Sequence, residues 1–419
     1  MSDIAPTDLG VTGLRHSAGV IYEEFHRDLH GPRGQQIYRE MGDNDPIVGS
    51  ALLTIDLMAR QTDFLVKPVD ETPQAAEVAD FVHSALWGMR VSWPDTLSSF
   101  LTMIQYGWSW HMPIYVPRAD GRIVWRELAP RSQTSLVRWQ FDETRQMMTA
   151  MVQQDWSTGR TYTLDRERSL HTRTSARLDN PEGRSCLRTA YLPWWRKNHH
   201  EDLESIGVER DLVGLPKATA PMAFMQEGAS DDQKAVVSTM RTMVRTVRRN
   251  EAEGVMLPSD VDPTSGNPLF DLTLMTSGGA RQFDIDKIVA RYEARILMAT
   301  LTDFILLGHE GTSGGFGITN TDPKIAVFSA ALDGYLDVIC AELTQRAVPA
   351  LCTLNGIRPE LHPSIEHGPV QKATLSEVVE MISKLAGAGA PLFPDDVLMA
   401  HVLEQAGLPS SLQGAGEVL

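Results

Sequence analysis

The chain has 419 residues, 42% of them hydrophobic and 22% charged, which fits a folded protein of two or three packed lobes and excludes wholesale disorder. Its formal charge of −16 excludes a protein that grips duplex DNA through a broad basic face, because phosphate neutralisation supplies most of that affinity. A chain of this sign that meets DNA is expected to guide it without holding it, although solubility alone is a plainer account of the same charge.

Residues 1–33 show no periodicity and are expected to form an extended or partly ordered arm. A helix is predicted over 45–62, with Asp45 as N-cap, Pro46 in the first turn, and Ile47, Ala51, Ile55 and Met58 at helical spacing. A strand over 64–68 leads to a helix over 73–89, whose buried side carries Ala76, Val78, Phe81, Val82, Ala85 and Leu86. A third helix starts at Ser92-Trp93-Pro94-Asp95 and runs to Tyr106. From 107 to 170 the period changes to two. Runs 109–116 and 123–128 flank Ala119-Asp120-Gly121, a hairpin signal, and 136–141, 148–153 and 160–164 extend it into one meander. Helices followed by antiparallel strands make the fold class α+β.

Two long helices are predicted over 186–213 and 230–250, joined by Leu215-Pro216-Lys217-Ala218-Thr219-Ala220-Pro221, where the prolines favour extended chain. Ser230-Asp231-Asp232 cap the second, which carries one stripe of Val236, Met240, Val244 and Val247 and another of Arg241, Arg245 and Arg248. Strand over 255–274, a helix over 283–306 and the glycine-dense stretch 308–317 follow. A long helix over 323–354, stopped by Asn355-Gly356, and two short helices over 374–387 and 394–406 complete the chain.

The chemistry-bearing residues have ordinary accounts. Gly308 to Gly317 holds no Lys or Arg and follows a helix, so it lacks the cation a phosphate loop needs and reads as a flexible connector. Adjacent His199 and His200 point to different faces of a helix and do not share a metal, and Asp231-Asp232 and Asp395-Asp396 sit where carboxylates cap helices. Cys186, Cys340 and Cys352 are too few and scattered for a disulfide framework or a zinc site, which fits a reducing compartment. No apolar run reaches the ~18–20 residues of a membrane span, and the start has no secretory h-region. Trp93, Trp108, Trp110 and Trp125 read as core or subunit interface before a base-stacking platform, and Trp194-Trp195 as an anchor at the start of a helix. The arginine stripe is either a salt-bridged face or a phosphate-touching belt in a channel. No catalytic site, metal site or cofactor is expected, so the chain is read as a structural protein and not an enzyme.

Several stretches in order resemble phage portal proteins of the Mu-like type. They are Asp45-Pro46-Ile47-Val48-Gly49-Ser50-Ala51-Leu52, the segment 100–109, Leu128-Ala129-Pro130-Arg131-Ser132-Gln133, Ser169-Leu170-His171, and the segment 206–216. The sharpest is Asn180-Pro181-Glu182-Gly183-Arg184-Ser185-Cys186, continuing to Trp194-Trp195-Arg196-Lys197. The resemblance implies a portal fold: a mixed α/β wing, a two-helix stem with a short clip, a long kinked helix with a tunnel loop, and a small helical crown. Laid on this chain, that gives an arm over 1–33, wing over 34–185, first stem helix 186–215, clip 216–229 and second stem helix 230–250. The wing resumes over 251–369, with tunnel loop 308–321 and long helix 323–354, and the crown and tail occupy 370–419.

The function so implied is a portal vertex subunit, whose copies form a ring, a homododecamer, that double-stranded DNA crosses during packaging and ejection. Large terminase subunit, head–tail adaptor and major capsid protein are the implied partners, with no membrane, and the implied place is the virion, after assembly in the host cytoplasm. Candidate DNA-facing residues are His309, Glu310, Thr312 and Asn320 in the tunnel loop and Arg241, Arg245 and Arg248 in the stem. Lys217, Met222 and Gln226 are candidate clip residues for partner docking. A packaging ATPase or nuclease, or another structural head–tail protein, is the alternative.

Overall fold

The computed structural model describes residues 12–142, 147–213, 215–246, 257, 260–261, 268–275, 285–302 and 322–371. The chain divides into two compact units, Met1–Arg188 with Ala299–Leu419, and Thr189–Met298. The class is α+β, as the change of period predicts.

The first unit opens with a two-residue hairpin, β1 (His16–Ser17) and β2 (Val20–Ile21), and α1 (Gly31–Asn44). Residues 1–11 of the expected arm lie outside the described residues, and helix begins at Gly31, where the sequence is glycine-rich and only Gln35, Tyr38 and Met41 face inward alongside glycines. Asp45 ends α1 and caps α2 (Pro46–Arg60), its Oδ1 accepting from the backbone N–H groups of Ile47 (2.9 Å) and Val48 (3.0 Å). The buried stripe of α2 is Val48, Ala51, Ile55 and Ala59, turned slightly from the expected one. Thr72 and Ser92 cap α3 (Pro73–Trp87) and α4 (Trp93–Tyr106) in the same way, and Gly107, at φ +95°, closes α4 in the left-handed region.

The expected single meander is two separate antiparallel sheets. β4 (Trp108–Pro117) pairs with β5 (Ile123–Pro130) on one side and β9 (Leu170–Arg173) on the other. β6 (Leu136–Phe141), β7 (Met148–Gln154) and β8 (Thr161–Asp165) form the second sheet. The split has a physical cause. β4 begins with four fully covered residues, Trp108 to His111, so both faces of its start are packed and β9 returns to satisfy its free edge. The turn Arg118–Arg122 closes as the sequence predicts, with Gly121 at φ +81° and Asp120 Oδ1 accepting from Arg122 N (3.0 Å). Near the other end of the described chain, β12 (Ser364–His367) pairs with β3 (Phe64–Lys67).

The helix predicted over 323–354 is α9 (Asp322–Glu342), a widened π turn at Leu343–Ala347, and α10 (Val348–Leu354). Its inner face, from Phe328 through Leu332, Leu336, Leu343 and Leu351, lies in the same core as Phe81, Trp93, Phe100 and Trp125. Trp108, Trp110 and Trp139 fill a second core between the sheets. All of these tryptophans are interior, which resolves their reading as core. The C-terminal helices expected over 374–406 lie outside the described residues.

The second unit contains most of α5 (Leu187–Val213), then β10 (Leu215–Thr219), the short α6 (Met222–Met225), α7 (Asp231–Thr246), β11 (Asp271–Met275) and α8 (Ile285–Ala299). The extended link predicted from its prolines is β10, and it pairs antiparallel with β11 from Leu215↔Met275 to Thr219↔Asp271.

Candidate docking and channel elements

The β10–β11 pairing changes how the second unit is put together. α7 packs on β10 and α6, while α5 has its ring contact with α8, where His200 and Tyr292 stack at 5.7 Å. α7 is therefore part of the small body around the β-ribbon. The reason is non-local: a strand some way down the chain takes the hydrogen-bonding edge of β10, and α7 then covers that ribbon.

Its core is small. Val237 and Met240 of α7, with Ala229 and Phe270, are buried, and Phe224 meets Phe270 edge-on at 5.6 Å. Ser230 and Gln233 cap α7 reciprocally: Gln233 Oε1 accepts from Ser230 N (3.0 Å) and Ser230 Oγ from Gln233 N (3.4 Å), with Asp231 and Asp232 in the first turn. Around this core the candidate clip residues are exposed: Lys217 on β10, Met222 (77% exposed) on α6, and Gln226 just after it. Met225, which sequence reasoning passed over, is exposed beside them. Arg241 is exposed on α7, and Arg245 lies on the same helix one turn on. Arg248 and the loop candidates His309, Glu310, Thr312 and Asn320 lie outside the described residues.

α8 carries a feature the sequence reading did not single out. On α8, Lys287, Arg291 and Arg295 follow at i, i+4 and i+8 on an exposed face, and both guanidinium groups lie 5.4 and 5.7 Å from the Tyr292 ring. Tyr292, Ile296 and Leu297 form the opposite, buried side. His199 stacks on Trp195 of its own helix and His200 on Tyr292, so the adjacent histidines do face different ways.

Buried titratable groups in the first unit look at first like catalytic machinery, since perturbed groups cluster in active sites. Each has a structural partner. Gly107 and Gly183, both at positive φ, press backbone to backbone, and a Cβ on either would collide with the carbonyl region of the other segment. That contact seats the segment 180–186: Cys186 N donates to Ile104 O (3.0 Å), Ser185 Oγ to Gln105 O, and Thr174 Oγ1 to Arg184 O (2.6 Å). Glu182 is thereby tucked against Trp139, whose Nε1–H donates to Oε1 (3.0 Å), and desolvation pushes its carboxyl up to about 7. His171 sits among Trp108, Trp110 and Trp139 with Nε2 at 2.8 Å from Pro181 O, and burial holds it well below the ordinary imidazole range. His111 is stacked on Phe100, with Nε2 at 2.8 Å from Ser99 Oγ, and burial lowers it to about 3.

Glu342, the last residue of α9, accepts from Arg166 (2.8 Å) and from the backbone N–H of His171 (2.9 Å). With Arg173 and Arg346 these groups line a cleft of about 430 Å³. Burial lowers the Arg166 guanidinium, with the Glu342 carboxylate opposing. These are the ties of a rigid scaffold. Among the described residues no group of three or more His, Cys, Asp or Glu side chains is placed to hold a metal ion.

A family model described as the portal protein of Mu bacteriophage matches residues 35–407. Three solved structures have a similar fold. One, the virion of a native gene transfer agent (GTA) particle, matches at 14% identity and TM-score 0.53, covering 94% of this chain and 96% of that one. The neck of an empty GTA particle, computed with C6 symmetry, matches at 13% identity and TM-score 0.56, covering 95% and 98%. The neck of a native GTA particle, computed with C12 symmetry, matches at 14% and 0.53, covering 90% and 94%.

Proposed function

Because the chain belongs to the family of Mu-bacteriophage portal proteins, which are structural and not enzymatic, we propose that it is the portal vertex subunit of a phage or phage-like particle. Twelve copies form a ring in the virion, double-stranded DNA crosses that ring during packaging and ejection, and a terminase and a head–tail adaptor dock on it in turn. The capsid shell surrounds it, and it assembles in the host cytoplasm. The family match over 35–407 carries this reading. The end-to-end likeness to chains of particle necks, one of them computed with C12 symmetry, supports the ring and its number.

The β10–β11 pairing favours a revised division of the second unit. The clip runs from β10 to β11 and includes α6 and α7, and the two stem helices are α5 and α8. Lys217, Met222 and Gln226 then belong to an exposed docking surface fit for a partner with both apolar and acidic groups. Arg241 and Arg245 lie on the clip helix, with Arg248 three residues further along the sequence, and the tunnel-loop candidates His309, Glu310, Thr312 and Asn320 follow α8 in the sequence. The net charge of −16 per subunit keeps the bore weakly interacting, so that DNA slides.

Negative-stain images of the purified full chain test this directly. Annular particles with an open centre and twelvefold averages are the expected result. A protein that stays monomeric at high concentration would overturn it.

A further inference from the structure

In the second unit, large apolar side chains are left on helix surfaces. On α5, Leu192 (37% exposed), Trp195 (52%) and Leu203 (46%) fall with exposed His199 along one stripe at i, i+3, i+7 and i+11. On α8, Met298 (54%) continues the exposed stripe of Lys287, Arg291 and Arg295. Exposed apolar groups in a row beside charges mark an interface and not a solvated face. The charges are complementary at one height: Asp202 is exposed on α5, whereas Glu201 pairs with Lys197 of its own helix (3.8 Å), and the charged members of the α8 stripe are all cationic.

We infer that these two stripes are the two halves of one subunit–subunit contact, the α5 stripe of one copy packing on the α8 stripe of the next. The inference rests on the portal reading and adds the surfaces that close the ring. The two faces are different and neither complements itself, which makes the contact heterologous, the kind that builds rings and not two-fold dimers.

The pairing follows from symmetry. α5 leads into β10, β11 leads out toward α8, and the two strands are antiparallel, so by chain path α8 runs back along α5 in the opposite sense. The stacked His200 and Tyr292 fix the register. Trp195 lies five residues from His200 and Met298 six residues from Tyr292, both toward the same end, so the two sit at nearly equal height. Asp202 and Arg291 lie two and one residues away, toward the other end. Rotation about a ring axis changes position around the ring and leaves height unchanged. With both helices running along the channel wall, the neighbour's Met298 therefore meets Trp195 and Leu192, and the neighbour's Arg291 meets Asp202.

Cysteine pairs test the contact in the full-length protein. The double variant Trp195→Cys with Met298→Cys, treated with a short bis-maleimide, is expected to give a covalent ladder of oligomers on a denaturing gel. Either single variant, and the wild type with Cys186, Cys340 and Cys352, should give none. Rings visible by negative stain without a ladder in the double variant would overturn the interface and leave the portal reading standing, whereas a wild type without rings would sink both.

A charge exchange gives a second reading that needs no cysteine. Asp202→Arg or Arg291→Asp alone should raise the protein concentration for half-assembly by about fivefold or more, the scale of one lost ion pair. Combining them should restore assembly. A double variant no better than the worse single one, or singles that assemble normally, would refute the pairing.

Discussion

The two units differ in how much core each builds around its large side chains. In the first, Trp108, Trp110, Trp125 and Trp139 are fully buried, and His171 and Glu182 beside them have specific partners, Pro181 O and the Trp139 indole N–H. In the second, Trp195, Leu203, Met222, Met225 and Met298 are exposed, and the described core around the β-ribbon is little more than Ala229, Val237, Met240 and Phe270. The lesson is that the first unit closes two cores over its tryptophans, whereas the described part of the second keeps a small core and leaves large apolar groups on its long helices.

That contrast is easiest to break at the Gly107–Gly183 contact. Gly107→Val places a β-branched side chain at φ +95° against the backbone of 182–185, and is expected to cost at least about 3 kcal/mol. Chemical denaturation should show the first unit unfolding at markedly lower denaturant, and an unchanged midpoint would mean the segment is free to move. Trp139→Ala should cost about 3–5 kcal/mol by the same measurement, because it empties the second core and strips Glu182 of its donor.

The pH dependence sharpens the comparison further. His111 and His171 have folded values below the ordinary 6.5, so the unfolded chain binds more protons and stability falls as pH drops below about 6.5 toward 3. Glu182 acts the other way: its folded value of about 7 lies above 4.5, so its protonated form favours the fold and that contribution is lost as pH rises from 4.5 through 7. Between pH 4.5 and 6.5 the two lowered histidines and the one raised carboxyl pull in opposite directions, and the two histidines leave the fold more stable at higher pH. Glu182→Gln removes the opposing proton and should steepen that rise in denaturation curves taken across the window. An unaltered slope would mean that Glu182 titrates as an ordinary exposed acid.

The smallest effect is the most telling for the second unit. Trp195→Ala should change subunit stability by less than about 0.5 kcal/mol, since the ring lies on the surface, in contrast to Trp139→Ala. Loss of stability comparable to Trp139→Ala would place Trp195 in a core of the single chain.

Local chemistry was well written in the sequence. Asp45-Pro46, Ser92-Trp93-Pro94 and Asp120-Gly121 announce a cap, a cap and a turn, because each solves a backbone problem within four residues. The motif Asn180-Pro181-Glu182-Gly183 was visible as a marker, but its reason was hidden, since its partner Gly107 lies far upstream. The same distance concealed the β3–β12 and β10–β11 pairings, the splitting of the meander, and with them the assignment of α7. α1 was missed because glycines take inward positions where a periodic pattern needs apolar groups. The stripe on α8 was legible as Lys287, Arg291 and Arg295, but it gained meaning only once Tyr292 was set against His200.

The π turn at Leu343–Ala347 has a consequence for insertions and deletions. It fits an extra residue into one wide turn of an otherwise continuous helix, so the stretches before and after it keep their phase. Deleting one residue there would regularise the hydrogen bonding with little rotation downstream, whereas deleting one from regular α9 would swing everything beyond it by about 100°. In that second case Leu351 and Cys352 would leave the interior, and Asn355 would lose the backbone of Ile123, to which its side chain both donates (2.9 Å) and accepts (2.8 Å). The π turn is thus the place where this long helix can give up a residue at least cost.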